Sequence, residues 1–243
     1  MRESLFDEWI AERYELLWPE LFDPATISAT VDFLAGLSGN GPALEFGIGT
    51  GRIALPLSRT GIGVHGIEMS AAMVGQLRAQ PGGSDVDVAI GDFASTSVAG
   101  SFPLVYLIRN TITNLTTQAA QVDCFRNAAA HLQPGGYFVI ENYIPELQRL
   151  PPGETRYVFL AASDHIGFEE YDFANQIAVS HHYWMIDGQL EARSSPHRYV
   201  WPGELDLMAG IAGLTLDERW DDWHRGPFTS ASRSHISVWR KPS

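Results

Sequence analysis

The chain has 243 residues, of which 45% are hydrophobic and 19% charged, a composition typical of a globular protein with room for a sizeable core. Its formal net charge is −13 and it has no run of Lys or Arg longer than Arg240-Lys241, which argues against a nucleic-acid partner because phosphate binding needs a basic surface. It also has no stretch of 18 apolar residues, so we expect no membrane-spanning segment.

Two features bear on the cellular compartment. The single Cys124 excludes an internal disulfide and suits a reducing environment. The N-terminal region is acidic and amphipathic, which is not typical of a signal peptide. We therefore expect a cytoplasmic protein, and the sequence is compatible with a homodimer.

Two helices are predicted at the N-terminal end. Apolar residues recur at helical spacing over about residues 4–18, and Pro19 ends that pattern. The residues of this apolar face are Leu5, Phe6, Trp9, Ile10, Tyr14 and Leu17. Asp23-Pro24 then begins a second helix, which ends in the polar stretch 38–41.

The stretch from residue 43 to residue 57 is the most informative part of the chain. A short apolar run, 43–46, is followed by Gly47, Gly49 and Gly51, and a helical apolar pattern follows at once. This predicts a strand, a tight turn and the start of a helix, as in a nucleotide-binding βαβ unit. A dinucleotide fingerprint would need Gly or Ala at position 52, where Arg52 stands.

Three further strands are predicted after this unit, each with polar residues at its carboxyl end. They cover residues 62–67, 86–90 and 101–108. They are followed by Glu68, by Gly91-Asp92-Phe93 and by the cluster 109–114, respectively. Ligands of open α/β sheets bind outside the carboxyl ends of the strands, so these polar residues are predicted to face the site.

A helix containing Val122 and Phe125 is predicted next, closed by Pro134-Gly135-Gly136, and a fifth strand covers 137–140. From about residue 151 to 201 the pattern becomes that of antiparallel strands, at 157–160, 176–186 and 189–200. Asp187-Gly188 between two alternating runs is a strong hairpin signal. A helix over 204–212 and strands over 215–220 and 235–240 complete the predicted elements.

Alternation within the strand 176–186 assigns its residues to two faces. One face carries Ile177, Val179, His181, Tyr183 and Met185, and the other carries Ala178, Ser180, His182, Trp184 and Ile186. We expect one of these faces to cover the carboxyl ends of the parallel strands.

The segment Glu45-Phe46-Gly47-Ile48-Gly49-Thr50-Gly51 resembles motif I of the class I S-adenosylmethionine (SAM) methyltransferases. Glu68, Gly91-Asp92-Phe93 and the phrase Leu132 to Gly136 are similar to later motifs of that family, in the same order. The resemblance implies a Rossmann-like, doubly wound α/β fold, with a mostly parallel seven-stranded sheet and an antiparallel β cap inserted after the fifth strand. The cap resembles that of small-molecule members, such as sugar-amine N-methyltransferases and glycine methyltransferases.

The resemblance also implies one methyltransferase domain over 1–243. Its parts would be leading helices 1–40, a SAM-binding core 41–150 and 202–243, and the cap insertion 151–201. The implied cofactor is SAM, held by Glu45, Gly47, Gly49, Gly51, Arg52, Glu68, Met69, Asp92, Phe93 and Arg109.

Within that set the resemblance assigns roles to five residues. Glu45 would lie near the ammonium of the cofactor, Glu68 would accept from the ribose hydroxyls, and Asp92 would accept from the adenine amino group. The backbone of Phe93 would donate to the adenine. Arg52 would meet the carboxylate, or else be a solvated helix residue.

The group that acts on the methyl acceptor is left open between Tyr14, Asn114, His181 and His182, with His165, Tyr171 and Asp172 as further candidates in the cap. Tyr14 is equally a core aromatic. In sugar-amine enzymes a His often stands where Asn114 stands, and Asn cannot act as a base. His181 and His182 are adjacent on one strand, so they face opposite sides.

Aromatic residues of the cap region indicate an apolar substrate pocket or simply core. They are Trp184, Tyr199, Trp201, Trp220 and Trp223. No His, Cys or Asp cluster has the spacing of metal ligands, so no metal site is expected.

The function that the resemblance implies is SAM-dependent transfer of a methyl group to an N or O nucleophile of a small molecule. One alternative is a non-catalytic SAM-binding regulatory or assembly protein, because no base is defined. Another is an NAD-dependent oxidoreductase, against which Arg52 at the third-glycine position argues.

Overall fold

The computed structural model describes residues 6–243. Its strands are β1 (Ala43–Phe46), β2 (Val64–Glu68), β3 (Asp87–Ile90), β4 (Phe102–Leu107), β5 (Leu132–Tyr143), β6 (Arg156–Ala161), β7 (His165–Asp172), β8 (Ile177–Ile186), β9 (Gln189–Arg198), β10 (Thr215–Trp220) and β11 (Ser234–Arg240). Its α-helices are α1 (Glu8–Leu17), α2 (Pro24–Ser38), α3 (Ala54–Ser58), α4 (Ala71–Ala79), α5 (Gln118–His131) and α6 (Pro202–Ile211).

The main sheet has seven strands in the order β10-β11-β5-β4-β1-β2-β3. The pairs β1–β2, β1–β4, β2–β3 and β4–β5 are parallel, and β11 lies antiparallel between β5 and β10. The predicted Rossmann-like α/β fold with a mostly parallel, seven-stranded sheet is confirmed.

Helices cover both faces of this sheet, which explains why its central strands are apolar throughout. All four residues of β1 are buried, as expected for a parallel strand inside a three-layer fold. One core packs α5 and α6 on the sheet around Phe125 and Trp239. The other packs α2 and α3 on the opposite face, around Leu34 and Leu57.

The two leading helices begin at acidic N-caps. Asp7 accepts a hydrogen bond from the backbone of Ile10 at 2.9 Å, and α1 begins after it. Asp23 accepts from the backbone of Thr26 at 2.8 Å, so the predicted start of α2 is confirmed. The first residues predicted for α1, including Leu5, lie outside the described part of the chain.

The cap is a separate antiparallel sheet in the order β6-β7-β8-β9. Its β8–β9 hairpin turns at Asp187 (φ 51°) and Gly188 (φ 74°), and a two-residue type I′ turn requires positive φ at both positions. The prediction of three strands here was wrong, because β7 was missed. Gly167 and the adjacent acids Glu169-Glu170 hide the apolar alternation of that strand.

Two other predictions need correction. The fifth strand begins at Leu132 rather than at residue 137, because the chain becomes extended directly after α5 (ψ 136° at Leu132). Trp220 and Trp223 do not belong to the cap, since they pack in the core on the α2 side of the sheet. Trp201 is 40% exposed and lines neither of the two cavities described below.

Candidate functional site

The glycine loop after β1 has a backbone that favours glycine. Gly47, Gly49 and Gly51 have φ values of 68°, 56° and 80°. A Cβ atom on Gly47 would lie 2.7 Å from Cγ2 of Thr111, so a larger residue has no room there. Gly51 serves a different purpose, because its Cβ would meet the side chain of Leu77 at 3.0 Å.

Glu68, at the end of β2, fixes this loop in place. Its Oε2 accepts a hydrogen bond from the backbone of Gly49 at 2.9 Å, and its Oε1 accepts from the backbone of Ser70 at 2.8 Å. The side chain is buried, and burial raises the pKa of its carboxyl. The loop between β1 and α3 is therefore tied to the tip of the neighbouring strand.

A cavity of about 380 Å³ lies in front of this loop, at the carboxyl ends of the parallel strands. Nine of the ten predicted cofactor residues line it: Glu45, Gly47, Gly49, Arg52, Glu68, Met69, Asp92, Phe93 and Arg109. Gly51 does not line the cavity and instead allows close helix packing. Residues that line it and that the sequence analysis missed include Thr50, Met73 and Leu115, whereas Thr111 belongs to the cluster 109–114 that was predicted to face the site.

Glu45 is a carboxyl inside the core, at one wall of the cavity. It accepts a hydrogen bond at Oε2 from the hydroxyl of Tyr106 at 2.9 Å. Burial raises the pKa of Glu45 to about 8, although the Tyr106 hydroxyl and the nearby Arg52 act in the other direction. A cation that arrived beside Glu45 would favour its ionised form.

Arg52 precedes α3 and is not the solvated helix residue that was the alternative. Its guanidinium donates from Nη1 to the carbonyl oxygen of Leu21 at 3.0 Å, which ties the cavity to the turn before α2. On the other side, Oδ1 of Asp92 accepts from the backbone of Ala94 at 2.8 Å. The Phe93 ring lies 6.0 Å from that of Phe46.

The segment after β4 lies under strain between the cavity and the cap. Arg109 and Asn110 have φ values of 53° and 62°, which are uncommon for residues other than glycine. The end of β5 holds them there. The backbone of Arg109 donates to Oε2 of Glu141 at 2.7 Å, and Oδ1 of Asn110 accepts from the backbone of Tyr143 at 2.8 Å.

A second cavity, of about 570 Å³, lies between this segment and the cap, and we call it the cap chamber. Phe6, Tyr14, Arg109, Thr111 and Asn114 line both cavities, so the two adjoin at these residues. The predicted alternation along β8 is confirmed. Ser180, His182 and Trp184 line the chamber, whereas His181 lies on the other face against Phe168.

The chamber wall is aromatic around Tyr14 and His182. The ring of Trp18 lies 5.3 Å from that of Tyr14 and 6.1 Å from that of His182. Nδ1 of His182 and Nε2 of His165 are 2.9 Å apart, within hydrogen-bond distance. Burial and the neighbouring histidines lower the pKa of His182 to about 4, so this ring is neutral at pH 7.

Two cap candidates take other roles, and one residue was missed. Asp172 is exposed and accepts hydrogen bonds from the turn residues Ala174 and Asn175. Tyr171 lines the chamber and donates its hydroxyl to Glu169. His197 was missed. It lines the chamber with Nε2 2.8 Å from Oγ of Ser195, and burial lowers its pKa to about 4.

Residues 6–243 offer neither a cluster of metal ligands nor a helix that could span a membrane. Across residues 6–243, no group of three or more His, Cys, Asp or Glu side chains is arranged to hold a metal ion. Over the same residues, no helix is both long and apolar enough to cross a membrane.

The residues around the first cavity fit SAM, the cofactor that the resemblance implies. Glu68 and Asp92 place carboxylates where hydroxyl and amino donors could bind, and Gly47 leaves the backbone open to a ligand. Oγ1 of Thr50 is buried at the cavity wall without a hydrogen-bond partner among residues 6–243. A ligand that bonded to this hydroxyl would remove an unfavourable buried group.

Comparison with known proteins supports the same assignment. A family model described as a methyltransferase domain matches residues 43–136. The cypemycin N-terminal methyltransferase of a Streptomyces species is 27% identical over 97% of this chain and 97% of its own length. The structure of the CcbJ methyltransferase from Streptomyces caelestis is 35% identical, covers 100% of both chains and superposes with a TM-score of 0.88.

A more distant structure shares the fold. The SAM-bound amino pentose methyltransferase from Micromonospora echinaspora is 20% identical, covers 94% of this chain and 96% of its own, and has a TM-score of 0.73. The glycine loop that Glu68 holds at the end of β2 and the similarity to CcbJ over the whole chain point to the same family. The chain therefore belongs to the class I SAM-dependent methyltransferase family.

Proposed function

We propose that this methyltransferase, which acts on small molecules, methylates an amine nitrogen of an acceptor that binds in the cap chamber. The observation that carries the proposal is the junction of the two cavities at Phe6, Tyr14, Arg109, Thr111 and Asn114. A chamber of about 570 Å³ is of the size that small-molecule sites have. The name of the N-terminal methyltransferase among the similar proteins supports nitrogen over oxygen.

When bound, SAM supplies an electrophilic methyl group on a sulfonium, and the protein supplies position and exclusion of water. Glu45, Glu68 and Asp92 would hold the cofactor by its polar ends. The rings of Trp18 and Trp184, whose centroids are 5.8 Å apart, close one side of the chamber to water.

We infer that the chain works by placing the amine rather than by removing its proton with a strong base. Asn114 at the junction has no basic atom. His182 and His197 are neutral at pH 7, since burial lowers the pKa of each to about 4, and such rings are weak proton acceptors. The acceptor would therefore bind as the free amine, and the rate would rise with pH as the amine loses its proton.

The experiment is methyl transfer from isotopically labelled SAM to a panel of small amines and the corresponding alcohols. We expect labelled N-methyl products with some amines and no labelled ethers. Gly47→Ala, which blocks the glycine loop, serves as the inactive control. Labelled ethers alone would overturn the nitrogen assignment, and absence of label in every acceptor would favour the non-catalytic SAM-binding alternative.

We also propose a cytoplasmic enzyme with no nucleic-acid partner. The net charge of −13 and the single, buried Cys124 support this. We propose a homodimer as its assembly, which size-exclusion chromatography with light scattering would test.

A further inference from the structure

The chamber-facing side of the cap carries a polar row in the middle of an aromatic surface. The Cα pairing across the sheet is Tyr157 with Glu169, Glu169 with Ser180, and Ser180 with Ser195. All four of these residues line the cap chamber. Side chains that are paired in this way share one face of a sheet, so Glu169 points to the same side as its neighbours in the row.

The carboxylate of Glu169 is held by hydroxyl groups. Oε2 accepts a hydrogen bond from the hydroxyl of Tyr171, and Oε1 accepts a longer one, of 3.4 Å, from Ser180. Burial raises the pKa of Glu169, whereas both hydroxyl donors favour the ionised form. The charge of Glu146, which is also acidic, raises the pKa of Glu169 further.

Glu169 lacks the countercharge that other charged residues of the chamber have. Glu146 pairs with Arg149 at 2.9 Å and with Arg233. Arg109 lies 3.6 Å from the carboxylate of Glu20, and Arg193 lies 3.7 Å from that of Glu191. In contrast, no Lys, Arg or His nitrogen of the described chain lies within 4.0 Å of Glu169.

Tyrosine rings surround this unpaired carboxylate. Tyr143, Tyr157 and Tyr171 line the chamber with it, and none of the three lines the cofactor cavity. The guanidinium of Arg149 lies 5.8 Å from the centroid of the Tyr157 ring and donates to its hydroxyl at 2.7 Å, so this ring already lies beside one cation. Tyr143 packs against the same small cluster as Tyr171. An anionic group beside aromatic faces attracts a cation both by charge and by the ring quadrupoles.

We propose that Glu169, Tyr143, Tyr157 and Tyr171 form a subsite for a positively charged group of the acceptor, distinct from the nitrogen that is methylated. That nitrogen must be uncharged and must reach the cavity junction, whereas the subsite lines the cap chamber alone. The acceptor would then carry a second basic nitrogen. That the ligand of this subsite is the methyl acceptor rests on the proposed function. That the subsite binds a cation does not.

The test compares choline with 3,3-dimethylbutan-1-ol, an uncharged molecule of the same shape, by calorimetric titration of the full chain. We expect choline to bind about tenfold more tightly than the alcohol, which corresponds to about 1.4 kcal/mol. Glu169→Gln should remove most of this preference and leave only the smaller contribution of the tyrosine rings. Glu170→Gln is the matched control, because Glu170 lies on the opposite face of β7 and pairs with Arg156 at 3.0 Å.

Equal affinities for the two probes in the wild type would overturn the proposal, as would a preference of undiminished size in Glu169→Gln. If that variant does not fold, Tyr157→Leu takes its place, since it removes one ring and should weaken choline about threefold to tenfold more than the alcohol. An equal loss for both probes would again overturn the subsite. Because neither measurement uses methyl transfer, failure of the labelled-SAM assay remains a separate result.

Discussion

The backbone N–H of Gly49 donates to Oε2 of Glu68 at 2.9 Å, which joins the glycine loop after β1 to the tip of β2. The same carboxylate accepts from the backbone of Ser70 through its other oxygen and lines the cofactor cavity. Glu68 therefore shapes the loop in the free protein, in addition to its proposed contact with the ribose. A change at Glu68 should act on both stability and cofactor binding.

The first prediction is that Glu68→Ala weakens SAM binding by about 2–3 kcal/mol, because charge-assisted hydrogen bonds are lost. It should also lower the free energy of unfolding by about 1–3 kcal/mol, since two backbone donors lose their partner. Calorimetry and urea unfolding measure the two effects. Asp87→Ala, at an exposed carboxylate on the neighbouring strand, is the control and should change neither by much. Unchanged affinity in Glu68→Ala would show that the carboxylate has no part in the site.

The second prediction concerns the backbone of the glycine loop. Gly47→Ala should weaken SAM binding more than about tenfold, because the new Cβ would contact Thr111 at 2.7 Å and φ is positive there. Gly63→Ala is a matched control, since its φ is not in that region and its nearest neighbour atom is 3.9 Å away. Equal affinities in the two variants would contradict a role for the open backbone at Gly47.

The third prediction concerns the pH dependence of stability. Burial raises the pKa of Glu45 from 4.5 to about 8 in the folded protein. Between these values the folded state binds the proton more tightly than the unfolded state, so stability falls as the pH rises through this window, by up to about 1.4 kcal/mol per pH unit. Glu45→Gln keeps an acceptor for Tyr106 and removes the titration. We expect the variant to gain stability over the wild type between pH 6.5 and 8.

The comparison is made above pH 6.5 because the buried histidines make stability rise with pH, whereas Glu45 makes it fall. The folded-state pKa values of His182 and His197 are about 4, and that of His235 about 3, all lowered mainly by burial. Their contributions rise with pH up to about 6.5 and are then constant. Above pH 6.5, the difference in unfolding free energy between wild type and Glu45→Gln therefore reports on Glu45, and parallel curves for the two proteins would refute its raised pKa.

The fourth prediction separates the cap from the cofactor site. Excision of residues 155–200, which contain all four cap strands, would remove Arg198, which is buried and donates to Glu204 at 2.7 Å. Replacement of 156–195 by a Gly/Ser linker of about eight residues avoids this, since the linker must cross about 14 Å of sheet. We expect SAM binding to persist and methyl transfer to be lost. Transfer at the full rate would mean that the cap is an oligomer contact.

Short-range signals explain which parts of the fold could be predicted. The strand, the glycine turn and the acidic tip of β2 each follow from a few adjacent residues, and nine of the ten expected residues line one cavity. The role of Gly51 was less accessible, because its need for a small residue arises from Leu77, far along the chain. Similarly, β7 was missed because Gly167 and paired acids interrupt its apolar pattern.

The cap chamber was harder to predict than the cofactor cavity for a physical reason. Alternation divides β8 into two faces, but the packing of the whole cap decides that the face of Ser180 and His182 turns inward. The same alternation on β9 would have placed Ser195 and His197 together, and this signal could have found His197. The unpaired state of Glu169 depends on contacts across strands and has no sequence pattern.

Titration calorimetry on the full chain decides whether the cavity at the glycine loop holds SAM. A SAM cavity there predicts that SAM and its demethylated product each bind one per chain, that NAD produces no binding heat, and that Gly47→Ala but not Gly63→Ala weakens the SAM signal. Tight NAD binding without SAM binding, or SAM binding that Gly47→Ala leaves unchanged, would contradict it.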